Sequence, residues 1–101
     1  MRVAIVSTYP PRPCGIGIFS RDLRAALLQV DPSVQVDVVS VVREHGRPDE
    51  DEVVAVANQE VRSDYVAAAR TLEATDTDVV LVEHEYGIFG GEAGAYVLSL
   101  V

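Results

Sequence analysis

The run Arg2–Ser20, RVAIVSTYPPRPCGIGIFS, decides how the rest of the chain is read. Its opening, RVAIVS (2–7), is short, β-branched and almost continuously apolar. That pattern belongs to a strand buried on both faces, as in a parallel sheet, and not to a strand with one wet face. The stretch TYPPRPC (8–14) follows, and its prolines interrupt any regular element. GIGIFS (15–20) then leads into a helix-spaced segment, with Gly15 and Gly17 at its mouth. Glycine there lets main chain come close to a neighbour. The amides and dipole of a helix N-terminus favour an anion such as phosphate.

Outward from this run, residues 17–30 keep helical spacing, with Phe19, Leu23, Ala26, Leu27 and Val30 on the face expected to be buried. Asp31-Pro32 ends that helix, because proline disfavours helix in the residue before it. VQVDVVSVV (34–42) reads as a second strand and VVAVA (53–57) as a third. Between them REHGRPDEDE (43–52) is a polar loop, with His45 solvated and Asp49–Glu52 a charged surface run. Val61, Tyr65, Ala68, Ala69 and Leu72 predict a second helix to about Ala74, with Asn58 or Ser63 as its cap. DVVLVEH (78–84) is a fourth buried strand. EYGIFGGEAG (85–94) is a glycine-rich loop, and AYVLSLV (95–101) starts a further helix. Strands alternating with helices predict an α/β fold with right-handed connections. The expected form is a Rossmann-like open, mainly parallel sheet, order about 3-2-1-4, with helices on both faces.

The 101 residues suffice for one small domain. Eight arginines, no lysine and a net charge of −8 argue against a nucleic-acid backbone or an anionic membrane surface as main partner. A small anionic ligand in a locally positive pocket stays compatible with that balance. Cys14 is the single cysteine, so no internal disulfide forms; a reducing compartment and a small packed residue are the expectations. No apolar run approaches the ~20 residues of a membrane span, and the N-terminus lacks the features of a secretory signal. Together these predict a soluble, cytoplasmic protein. The uncapped apolar run at 95–101 predicts that residues 1–101 are the front of a longer protein. An uncovered sheet edge would make such a fragment prone to self-association.

In open α/β sheets, ligands bind at the carboxyl ends of the strands where the strand order reverses. Strands 2–7 and 78–84 are the expected sides of that crevice, each followed by a glycine-bearing loop. A dinucleotide fingerprint is the obvious rival, since GIGIFS is G-x-G-x-x-S. Ser20 stands where the third glycine belongs, and TYPPRPC separates the motif from its strand, so this match is weak. Taken together, STYPPRPCGIGIFSRDL (7–23) and DVVLVEHEYGIFGGEAG (78–94) resemble the amino-terminal half of retaining GT-B-fold glycosyltransferases of the large family 4 group. The resemblance runs from the first strand to residue 101 and thins between Val42 and Asn58.

That resemblance implies an amino-terminal, acceptor-side domain, with the donor-binding domain in a carboxyl-terminal half outside these residues. It implies an enzyme that moves a sugar from a nucleotide-sugar donor to a hydroxyl of a sugar, lipid or small-molecule acceptor with retention, using neither metal nor other cofactor. The fragment alone would be inactive. His84 would be the catalytic residue beside the reacting sugar, its imidazole hydrogen-bonding a hydroxyl in the transition state. Gly15 and Gly17 would approach the donor diphosphate or the acceptor, and Glu85 would orient the loop or contact acceptor hydroxyls. Tyr86, Gly87, Phe89, Gly90 and Gly91 would shape the acceptor wall. Two other readings stand beside it: a flavodoxin-like binding or interaction module, and a dinucleotide-binding oxidoreductase fragment.

Overall fold

A computed structural model describes residues 1–10, 15–43 and 51–83. They form an α/β layer structure around a four-stranded, all-parallel sheet of order β3-β2-β1-β4. The elements are β1 (Arg2–Ser7), α1 (Gly15–Val30), β2 (Gln35–Val42), β3 (Val53–Asn58), α2 (Arg62–Ala74) and β4 (Val79–Val82). The expected sheet order and parallel pairing are those observed, but β4, expected to be buried, is among the described residues an edge strand with Val79, Val80 and Val82 exposed. No helix among the described residues is long and apolar enough to cross a membrane.

β1 is central, paired with β2 on one edge and with β4 on the other. Val3, Ala4, Ile5 and Val6 are all buried, as a strand covered on both faces requires. Chain direction then assigns the helices. α1 carries the chain from β1 outward to β2, while α2 carries it from β3 back across the sheet to β4. Right-handed crossovers running in opposite directions lie on opposite faces. Side-chain parity agrees: Tyr65, Ala68 and Leu72 of α2 cluster with Ala4, Val6, Val39, Val41 and Ala57, whereas Ser20 of α1 meets Ser7, one step out of phase along β1. The pairing of β2 with β3 slips by one residue after Val38, where β3 carries Val54 as an extra residue.

The N-terminal edge of the sheet is knotted at Arg2. Its amide donates to Asp78 Oδ2 and its carbonyl accepts from the Asp78 amide, both at 2.8 Å. Its Nε donates to Asp37 Oδ2 at 2.6 Å, and Asp37 is 4% exposed. One residue thus fixes β1 against both neighbours.

The helices differ from expectation in three respects. α1 starts at Gly15, so both glycines lie in its first turn and not in a loop before it. Its buried residues are Gly17 and Ser20, while Phe19 is 55% and Val30 86% exposed. The apolar spacing 19-23-26-27-30 is helical, but small residues at the head of the helix let it approach the sheet on an adjacent stripe. α2 is capped by neither Asn58 nor Ser63: Val61 holds the cap position without a side-chain bond, and Asp64 Oδ2 accepts from the Asn58 amide at 2.9 Å. That carboxylate in the first turn suits the helix dipole. Tyr65, fully buried, donates from its hydroxyl to Gln59 O at 2.9 Å.

Both helices end in defined turns. After α1, the Ser33 hydroxyl and amide donate to Asp31 Oδ1, and these bonds hold the Asp31 carboxyl below its ordinary pKa. After α2, the Thr77 amide donates to Leu72 O and the Asp76 amide to Glu73 O, which is the Schellman pattern. Asp76 sits in the left-handed region at φ 54°.

Two stability predictions follow from these contacts. Arg2→Ala strands a buried carboxylate and should cost roughly 2–3 kcal/mol in urea unfolding, less than the ~3–5 kcal/mol of a fully buried pair because Arg2 is partly exposed. The double variant Arg2→Met/Asp37→Val should cost less than Arg2→Ala alone, since it leaves no charge behind. Asp76→Gly should raise the melting temperature, with a gain of about 1 kcal/mol, because glycine adopts left-handed φ without the β-carbon penalty.

Candidate functional site

The strand order reverses between β1 and β4, since α1 leaves β1 in one direction and α2 returns to β4 from the other. This is the position where open α/β sheets bind ligands. At its carboxyl end β4 stays in register with β1: Val82 lies opposite Val6, and the Glu83 amide donates to Val6 O at 3.0 Å. The residue that precedes His84 is therefore fastened beside Ser7. His84, Glu85, Tyr86, Gly87, Gly90 and Gly91 themselves lie outside the described residues, as do Arg12, Cys14, His45 and Phe89.

Gly15 and Gly17 are both described, and they do different work. A β-carbon on Gly17 would sit 3.3 Å from Tyr9 N and Tyr9 Cα and 3.4 Å from Thr8 C. Those are main-chain atoms of a buried turn, so Gly17 is the residue that lets α1 close onto the end of β1. Among the described residues, a β-carbon on Gly15 would meet nothing within 4 Å, and Gly15 is exposed, whereas at Gly17 the described main chain fills that space. Of the two residues expected to admit a ligand, Gly15 has the room, and Gly17 serves helix–turn packing.

Around that turn the carboxyl ends of β1 and β2 carry buried hydroxyls. Ser20 Oγ donates to Ser7 Oγ at 2.9 Å, and Ser40 lies opposite Ser7 in the strand register. Thr8 Oγ1 and Ser40 Oγ are fully buried and have no hydrogen-bond partner among the described residues. An unpartnered buried hydroxyl costs about 1–3 kcal/mol, and such atoms in native structures often mark a functional place. The first turn of α1 contains no acidic side chain, so its amide dipole faces outward without a carboxylate of its own. The arrangement can present hydrogen-bond donors to an anion or to hydroxyl-rich molecules.

The sequence reading passed over these hydroxyls. Their signal was a serine closing each of two apolar runs, VAIVS (3–7) and VDVVS (36–40). Serine at the end of a buried parallel strand has to find a partner, and one of these finds it on α1. Among the described residues no group of three or more His, Cys, Asp or Glu could hold a metal ion. Comparison of the chain with protein families, with curated proteins and with solved structures returned no match.

Substitution separates the two glycines. Gly17→Ala should destabilise by about 1 kcal/mol despite the better helix propensity of alanine, because α1 must back away from main chain that is itself packed. Gly15→Ala should leave stability unchanged or raise it by a few tenths of a kcal/mol. Thermal melts of both variants check the pair, and equal effects would refute the distinction.

Proposed function

We propose that this chain is the acceptor-side, amino-terminal part of a GT-B-fold glycosyltransferase that moves a sugar from a nucleotide-sugar donor to an acceptor hydroxyl with retention. One observation carries the reading: β4 runs parallel to β1 and the Glu83 amide donates to Val6 O, so the carboxyl ends of the two strands lie side by side, one followed in sequence by TYPPRPCGIG and the other by HEYGIFGG. In this reading the bond from the anomeric carbon to the donor diphosphate breaks, and a bond to the acceptor oxygen forms on the same face of the sugar. The departing diphosphate leaves with the electron pair of the broken bond, and one of its oxygens takes the proton of the acceptor hydroxyl.

The chain's own groups have parts in that reaction. His84 would hydrogen-bond a sugar hydroxyl at the reacting centre, a task suited to an imidazole, which can donate and accept. The open first turn of α1 at Gly15 would offer amides to an oxyanion or to acceptor hydroxyls. Glu85, Tyr86, Gly87, Gly90 and Gly91 would form the acceptor wall.

The test is transfer from a panel of nucleotide-sugars, with the protein assayed together with its donor-binding half. His84→Ala should lower turnover by about a hundredfold or more, the ordinary contribution of a positioned proton-handling group. Unchanged turnover would remove His84 from the mechanism. Gly15→Val should lower kcat/KM without lowering the melting temperature, because its side chain would project into open space and not into the fold.

A further inference from the structure

Beside the entry to β3, on the flank of α1, a cleft of about 210 Å³ opens between the helix, the turn after β1 and Glu52. Tyr9 and Pro10 form one wall, Arg21, Arg24 and Ala25 of α1 another, and Glu52 closes the third side. Tyr9 and Pro10 follow β1 directly, and the other lining residues belong to neither β4 nor the first turn of α1, so the cleft adjoins the carboxyl end of β1 on the side away from β4. We propose that it binds a small organic phosphate that also carries hydroxyl groups.

The charges support this assignment. Arg21 and Arg24 are three apart on a helix and therefore share a face. Arg24 is held in place: its Nε donates to Val36 O at 2.8 Å and its Nη1 lies 3.2 Å from Glu52 Oε2. That pairing neutralises one guanidinium. Among the described residues Arg21 has only a 3.8 Å contact with Asp22, both side chains being more than half exposed, and such surface pairs are worth little. The cleft thus keeps a positive charge on a chain whose net charge is −8. Guanidinium planes match phosphate oxygens in paired hydrogen bonds, better than an ammonium would.

The remaining walls choose the rest of the ligand. Pro10, with its fixed φ, and Ala25 offer carbon surface, backed by the buried Tyr9. Glu52 retains acceptor capacity on the carboxylate oxygen that Arg24 does not reach, which suits a hydroxyl donor. The same carboxylate repels a bare oxyanion, so a phosphate with hydroxyls attached gains relative to phosphate alone. At roughly 30 Å³ per water, the volume holds several waters and therefore a molecule of a few carbons with its phosphate.

The probe is glycerol 3-phosphate, titrated into the isotope-labelled 101-residue chain while the Arg21 and Arg24 Nε–H signals are followed by NMR. Glycerol, inorganic phosphate and sodium chloride at matched ionic strength are the comparisons. Saturable shifts at both arginines, stronger for glycerol 3-phosphate than for inorganic phosphate, are expected. Arg21→Gln should weaken binding about tenfold with no change in melting temperature. Glu52→Gln should tighten inorganic phosphate and erase the preference for the polyol ester. Shifts that track ionic strength alone, unaltered binding by Arg21→Gln, or a response confined to the first turn of α1 would each overturn the assignment. The last result would leave the β1–β4 crevice as a binding place and so separates this proposal from the glycosyltransferase reading.

Discussion

The fold depends on one residue at the start of the central strand. β1 takes hydrogen bonds on both edges, so any slip in its register displaces the whole sheet, and a one-residue slip would turn Ala4 and Val6 toward the wrong helix. Apolar β-branched runs do not resist slipping by themselves, since valine against valine looks alike in neighbouring registers. Arg2 supplies the missing specificity. Its side chain reaches a buried carboxylate on β2, and its main chain closes two hydrogen bonds with Asp78 at the threshold of β4. A buried ion pair contributes little net stability, but an unpaired buried charge is expensive, and that asymmetry penalises the wrong register.

At the other end of β1 the constraint is steric. Gly17 brings α1 within 3.3 Å of the Tyr9 main chain at the position a β-carbon would occupy. Ser20, one turn on, then meets Ser7 under the helix. A larger residue at either position would lift the helix and expose the buried hydroxyls, so the small residues at the head of α1 and the polar ends of β1 and β2 form one device. The cost is visible on the helix itself: the apolar side chains of Ile18 and Phe19 are turned to solvent, 49% and 55% exposed.

Much of this was legible in the sequence for identifiable reasons. Runs such as RVAIVS and VDVVSVV, buried on both faces, carry the strongest signal an α/β chain offers, and they marked β1 and β2 as strands of a parallel sheet. The face of α1 was not legible, because glycine and serine do not register as core residues although shape makes them so here. The cap of α2 was missed because Asp64, inside the helix, reaches back to Asn58 in place of an oxygen before it. The end of α2 had no glycine to announce it, and Asp76 takes the left-handed turn instead. For the site, the convergence of β1 and β4 followed from pattern alone. The distinction between Gly15 and Gly17 required coordinates, since it turns on which main-chain atoms lie opposite each, and the Arg21–Arg24–Glu52 cleft required knowing which side of α1 the entry to β3 lies on.

The charge distribution links the two places proposed to take a ligand. A net charge of −8 sets an unfavourable field for anions at long range, but at physiological ionic strength that field decays over roughly 8 Å. Within that distance only local groups matter. The first turn of α1 carries no acidic side chain, and the flank of the same helix carries two arginines against one carboxylate of the cleft. α1 is therefore the one described element whose surroundings favour negative charge at two points, its N-terminal amides and its basic flank. Its first turn is seated on the end of β1 by the Gly17 contact, so the spacing of the two points is set by the same packing that closes the core. Binding at either point would be felt as added stability of the α1–β1 contact, because a ligand held by α1 and by the turn after β1 joins the two elements that Gly17 brings together.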